Sequence, residues 1–165
     1  MTVAENVQMA LQSGARQTVT VTLRAHRLGR SEAIDLLALV GMRDAADRAV
    51  STLAYGDVKR VELAIALASS PKLLLMDEPT AGMAPHERDA LMALVARLAR
   101  EQRIGVLFTE HDMDAVFGHA NRILVLVRGE IVARGTPEDV RANPLVRQVY
   151  LGDLGAEVAA GARRS

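Results

Sequence analysis

Cysteine is absent from the 165 residues, which excludes a disulfide framework, a thiolate zinc site and an iron–sulfur cluster and leaves the fold to be held by packing. Tryptophan is absent too, and phenylalanine and tyrosine occur only twice each, so the aromatic platforms on which single-strand nucleic-acid binders stack bases are missing. Neither sign of charge is in excess: 20 basic residues balance 20 acidic ones, and no overall field draws the chain onto nucleic acid or an anionic bilayer. No nucleic-acid partner is expected. The longest apolar runs, Ile104 to Phe108 and Ile123 to Val127, fall far short of a membrane span. The N-terminus, Met1-Thr2-Val3-Ala4-Glu5-Asn6, lacks the basic start and apolar core of a signal peptide, so cytoplasmic residence is the expectation. His26, His86, His111 and His119 form no i, i+4 pair and have no compact carboxylate set beside them, unlike a zinc site.

What is present is a composition half hydrophobic, enough to bury a sizeable core. Helical spacing covers the first part of the chain. Val3 to Leu11 forms a short apolar-faced segment, Ser31 is placed to cap a helix over Glu32 to Val40, Gly41 stops it, and a further helix runs from Val58 to Ala68 with Pro71 just beyond. The pattern then changes to the unbroken run Leu73-Leu74-Leu75-Met76, which reads as a strand buried on both faces of a parallel sheet. A helix from about His86 to Glu101, with Leu91, Leu94, Val95 and Leu98 on one stripe, leads to a second buried run at Ile104 to Phe108. Strand, helix, strand predicts a parallel, right-handed crossover. Beyond it come a short helix over Asp112 to Phe117 and two strands, Ile123 to Val127 and Glu130 to Arg134, joined at Gly129. Thr136-Pro137-Glu138-Asp139 then opens a last helix, with a capping threonine, a proline suited to the first turn and two acids at the positive end of the dipole. Ala159 to Ser165 reads as a frayed tail.

Three short segments carry candidate chemistry. Asp77-Glu78 stands at the carboxyl end of a predicted buried strand, where open α/β sheets bind ligands. Adjacent residues on an extended segment point apart, so the two acids divide their tasks: Asp77 toward a magnesium ion through its water shell, Glu78 toward water attacking a γ-phosphate. Alone, the same pair also describes a plain buried strand meeting solvent. His111, in Thr109-Glu110-His111-Asp112, follows the next strand and can hydrogen-bond phosphate or water, although a lone loop histidine is more often an ordinary surface residue. Leu53-Ala54-Tyr55-Gly56-Asp57 precedes a helix whose free amides can meet an anion; by itself it is also a common turn capped by Asp57.

In that order and at that spacing the three segments resemble the signature loop, Walker B strand and switch histidine of the ATP-binding-cassette (ABC) ATPases. The resemblance runs from about Thr2 to Leu154. The Tyr-Gly-Asp wording, the turn Ala81-Gly82-Met83-Ala84-Pro85 and the late Val149-Tyr150-Leu151-Gly152 look like the branched-chain amino-acid importer branch. The resemblance implies an α/β fold, a truncated P-loop NTPase with a mostly parallel sheet. It divides into a helical subdomain over residues 1–69, the later part of the RecA-like core over 70–135 and a helical tail over 136–165. It implies ATP and magnesium as cofactors, a second ABC ATPase subunit and transmembrane permease subunits as partners, and a peripheral position on the inner face of the plasma membrane. Leu53, Ala54, Tyr55, Gly56 and Asp57 would meet the partner's ATP. Asp77 would assist magnesium, Glu78 would polarise water, His111 would clamp the γ-phosphate, and Gly82 and Met83 would lie at the dimer interface.

Two departures bear on those implications. No Gly-x-x-x-x-Gly-Lys-Ser/Thr occurs, so the backbone phosphate cradle, its lysine and its magnesium-binding hydroxyl are missing from the sequence. Thr2-Val3-Ala4-Glu5-Asn6-Val7 resembles the segment just past the family's magnesium-contacting glutamine, so the chain reads as truncated at its start and inactive on its own. The signature also has Ala54, Tyr55 and Asp57 where many relatives have serine, glycine and glutamine, and the turn has Ala84 where many have an acid. A module docking without catalysis on a permease or on an intact ATPase is the other expectation. A chromosome-maintenance type of ATPase head would bring a coiled coil or basic surfaces, and neither is seen. Loss of covering strands predicts exposed apolar surface and association in solution.

Overall fold

A computed structural model describes residues 1–14 and 29–148. The late Val149-Tyr150-Leu151-Gly152 stretch, the tail and His26 lie outside the described residues. The chain gathers into two compact units, dividing between His111 and Asp112.

The first unit begins with helix α1 (Val3–Gly14), entered through a reciprocal cap. The Thr2 N–H donates to Glu5 Oε2 at 2.7 Å and the Glu5 N–H returns to Thr2 Oγ1 at 3.2 Å. Val3, Ala4 and Val7 are fully buried. Helix α2 (Arg30–Leu39) starts one residue before the predicted cap: Gly29, in a left-handed conformation, precedes it, and Ser31 lies within the first turn. The predicted stop at Gly41 holds, for a specific reason. With φ +75, Gly41 donates to Ala38 O at 3.1 Å while Met42 reaches back to Leu37 O at 2.7 Å, a Schellman closure that satisfies two terminal carbonyls. Arg97 from a later helix donates to a third, Leu39 O, at 2.9 Å.

Helix α3 (Tyr55–Leu67) follows two short 3-10 turns, Arg43–Ala45 and Val50–Thr52. Strand β1 (Leu73–Asp77), helix α4 (Pro85–Glu101) and strand β2 (Gly105–Thr109) complete the unit, and β1 pairs with β2 in parallel, Leu75 opposite Leu107 and Asp77 opposite Thr109. Leu91, Leu94, Val95 and Leu98 of α4 are buried as their spacing predicts. The inner strand residues Leu74, Met76 and Val106 pack against the core built by Leu37, Val61, Ala64, Leu94 and Leu98.

The strand pair departs from expectation in one respect. Burial on both faces was predicted, yet burial alternates along β1 and β2, and Leu73, Leu75 and Leu107 stand 55%, 67% and 55% exposed. Among the described residues this sheet has two strands only, so its second face has nothing to pack against. Because the other face shares the helical core, the strands group with the helices before them, and the compact boundary falls after His111.

The second unit holds α5 (Met113–His119), the antiparallel strands β3 (Ile123–Val127) and β4 (Glu130–Gly135), and α6 (Pro137–Ala142). Asp112 caps α5 by accepting from the Ala115 N–H at 3.0 Å. The hairpin turns on Arg128 and Gly129, both at positive φ, as a two-residue loop between twisted strands requires. Ile123, Val125, Ala133, Val140 and Val146 form its small core. Thr136 caps α6 as predicted: Asp139 N–H donates to Thr136 Oγ1 at 3.2 Å, and the Thr136 N–H and hydroxyl donate to Asp139 Oδ2 at 3.1 and 2.9 Å.

Two outcomes follow. Leu37→Ala, at a fully buried site, lowers unfolding stability by about 2–5 kcal/mol, while Leu75→Ser on the open face changes it by about 0.5 kcal/mol or less. Urea denaturation monitored by circular dichroism measures both, and equal effects would contradict the one-sided core. The Thr136 N–H, and secondarily its hydroxyl, hold the Asp139 carboxyl below its ordinary value of 3.8. The α6 cap is therefore fully stabilising above that value and weakens as pH falls through the lower folded one. Asp139→Asn should abolish this acid dependence of the Thr136 amide signal in NMR, and its persistence would place the titration elsewhere.

Candidate functional site

Parallel pairing puts the carboxyl ends of β1 and β2 on one edge, and every close contact of the site grows from there. The last rung sets Asp77 beside Thr109, whose hydroxyl donates to Asp77 Oδ1. Glu78 lies past the end of the strand. Its N–H donates to Thr109 O at 3.1 Å and lies 3.2 Å from Thr109 Oγ1, and its φ is +43, a region that non-glycine residues seldom adopt. The prediction that strand alternation separates Asp77 from Glu78 is thus corrected: the turn at Glu78 aims its side chain, not the pleat. His111, two residues beyond β2, brings Nε2 to 2.9 Å from Glu78 Oε1. The Glu78 side chain is 46% exposed and that of His111 88%, so both face solvent. A carboxylate and an imidazole in contact and open to water can hold and orient a water molecule or meet an anion.

Three residues given no role from sequence, Thr80, Thr109 and Glu110, belong to the same edge. Thr80 is 2% exposed, and its N–H and hydroxyl both donate to Glu110 Oε1, at 2.8 and 2.6 Å. The signal that could have found Thr109 is the register: once the strands are paired in parallel, it stands opposite Asp77.

The Leu53 to Asp57 segment is not a loop before a helix but largely the helix itself. Ala54 is the cap, without a side-chain hydrogen bond, and Tyr55, Gly56 and Asp57 form the first turn of α3. Asp57 is therefore not the cap; its carboxylate sits at the positive end of the dipole. The first N–H groups of an α-helix have no partner within it, and such groups can meet an anion. Leu53 packs on the main core, and Lys59 lies 5.5 Å from the Tyr55 ring while pairing with Glu62 at 3.0 Å, which holds its ammonium above the ordinary value.

Gly82 and Met83, expected together at a dimer interface, face different ways. Gly82, at φ +75, has open space where a side chain would be. Met83 is 8% exposed and turned inward, its Cε 3.4 Å from the position a Gly56 Cβ would take. Its side chain joins the turn to the start of α3. Among the described residues no group of three or more histidine, aspartate or glutamate side chains could hold a metal ion, and no helix is long and apolar enough to cross a membrane.

Sequence and fold comparisons give this chain its relatives. Residues 1–81 match the ABC transporter family, and residues 130–156 match the branched-chain amino acid ATP-binding cassette transporter family. The high-affinity branched-chain amino acid transport ATP-binding protein LivG of Salmonella typhimurium is 40% identical over 161 residues, covering 93% of this chain and 63% of LivG. The fold resembles the ADP conformation of MJ1267, an ATP-binding cassette of an ABC transporter, with TM-score 0.75 and 27% identity over 92% of this chain and 63% of that one. It also resembles the dimeric post-hydrolysis state of the ATP-binding cassette MJ0796 bound to ADP and Pi, with TM-score 0.67 and 25% identity over 83% and 57%. The chain thus spans about three fifths of the length of these relatives. The chain thus carries an ABC transporter domain over residues 1–81 and a branched-chain amino acid ATP-binding cassette transporter domain over residues 130–156.

Proposed function

We propose that this chain supplies the hydrolytic edge and signature surface of an ATP-hydrolysing subunit that energises a branched-chain amino-acid importer. The observation carrying the proposal is the contact of Glu78 Oε1 with His111 Nε2 at 2.9 Å, at the tips of two paired parallel strands. Glu78 acts as the base that orients the attacking water, and His111 holds that carboxylate and meets the terminal phosphate. Asp77 would assist magnesium through water: the Thr109 hydroxyl donates to Oδ1, and the second carboxylate oxygen could accept from the ion's waters. Bound magnesium would supply charge neutralisation on the phosphates.

Leu53 to Asp57 presents the α3 amides to a nucleotide held by a second ATPase subunit, and Gly82 lies at that subunit's border; the dimeric state of MJ0796 supports this pairing. Ala54 brings no hydroxyl, so the signature contact rests on backbone N–H groups. Transmembrane permease subunits are the second partner, which places the chain peripherally on the membrane's cytoplasmic face. The match of residues 130–156 and the identity to LivG support branched-chain amino acids as cargo.

No phosphate cradle occurs in the 165 residues, so the isolated chain should neither bind ATP appreciably nor hydrolyse it. Fusion to the P-loop portion of a branched-chain relative should restore turnover, and Glu78→Gln in that fusion should lower kcat by about 10²-fold or more. A phosphate-release assay checks both. Turnover by the isolated chain that disappears in Glu78→Gln would overturn the first statement, and a fusion indifferent to Glu78→Gln would overturn the second.

A further inference from the structure

We propose that Thr80 and Glu110 are positioning residues, a latch that joins the segment after β1 to the segment after β2 and so holds Glu78 against His111. The proposal rests on the reading of Glu78 and His111 as the hydrolytic pair. Its geometry can be tested without turnover.

Beyond the Asp77–Thr109 rung the ladder has ended, and something else must fix the spacing of the two outgoing segments. The Glu78–His111 contact does not do so by itself. Its side chains are 46% and 88% exposed, and a pair so open to water gains little against the entropy of ordering two side chains. Thr80 and Glu110 sit one step behind that pair, two residues after Glu78 and one before His111. Thr80 and Gln8 are the two buried polar residues among those described, and both donors of Thr80 converge on one carboxylate oxygen, Glu110 Oε1. The 2.6 Å hydroxyl contact lies in the range of a charge-assisted hydrogen bond. A buried donor loses more than an exposed one when its acceptor goes, so this link resists opening.

The latch also closes the turn that carries Glu78. On one side of the positive-φ residue, its N–H is tied to Thr109 O; on the other, Ala81 donates to Glu78 O at 3.1 Å and Met83 to Thr80 O at 3.1 Å. Thr80 therefore fixes the backbone between the water-orienting carboxylate and the Gly82 turn. A left-handed residue persists only where its surroundings over-determine it, and these bonds do that.

The test is NMR of the labelled 165-residue chain. The cross-peak between the His111 ring and the Glu78 side-chain methylenes should be lost in Thr80→Val and in Glu110→Ala, with the methyl signals of Leu37 and Leu91 unmoved, and kept in Thr80→Ser, which restores the hydroxyl. Retention of the cross-peak in Glu110→Ala overturns the latch. So does loss of the core signals along with it, because Thr80 and Glu110 would then support the fold at large. Wild-type protein gives a further check that needs no variant: the Thr80 amide should exchange with solvent as slowly as the amides within β1, and exchange at the rate of an open loop overturns the proposal. In the ATP-hydrolysing fusion, Thr80→Val should lower kcat by roughly 10²-fold with KM unchanged. If the cross-peak behaves as stated but the fusion is indifferent to Glu78→Gln, the latch stands and the hydrolytic reading fails.

Discussion

The parallel ladder between β1 and β2 is the constraint on which the site depends. Strands that run the same way deliver both carboxyl ends to one edge, and the register places Asp77 beside Thr109. Segments about thirty residues apart in sequence thereby become neighbours, and Glu78 and His111 come within hydrogen-bond distance. A slip of one residue would exchange the inner and outer faces, drawing Leu74, Met76 and Val106 out of the core. The hydrophobic pattern thus enforces the alignment that the polar edge exploits. Chemistry at the tips borrows its precision from apolar packing several residues away.

The same strand pair is half used. One face lies on the helical core, and the other exposes Leu73, Leu75 and Leu107. Continuous leucine runs of this kind belong to strands covered on both sides, where each side chain is withdrawn from water. Here the outer leucines contribute little to holding the unit together, which leaves stability to the inner layer made by α1, α2, α3 and α4. Such a surface invites association.

Much of this was legible in the sequence because its signals are local. Thr136-Pro137-Glu138-Asp139 states a capped helix start in four residues, Gly41 states a helix end, and the stripe on α4 states its own burial. Legibility fails where the deciding partner is distant. Ser31 has the chemistry of a cap, but the backbone turns at Gly29 and carries the serine into the helix. Asp57 likewise looks like a cap, while α3 has already begun at Tyr55. Leu73 to Met76 announces a buried strand, yet burial on the second face needs residues that the described sheet does not have. The packing of Met83 against the start of α3 is visible only once the turn and the helix are brought together. Thr80 and Glu110 show no periodicity at all, since a hydrogen bond between them is visible only after two strands have been paired.

The conformation of Glu78 ties these threads together. A left-handed backbone at a residue with a Cβ costs about 1–2 kcal/mol, and a glycine there would avoid it. An extended residue at 78 would continue the pleat and send its carboxylate to the face opposite that of Asp77. The turn instead brings that carboxylate to His111, so the strained geometry and the useful geometry are the same one. What keeps it from relaxing is polar: Thr109 holds the amide of Glu78, Glu110 holds Thr80, and the turn to Gly82 closes behind them. Stability in this unit comes from leucine and valine. The chemistry proposed for it rests on a short polar edge that the leucine core can carry under strain.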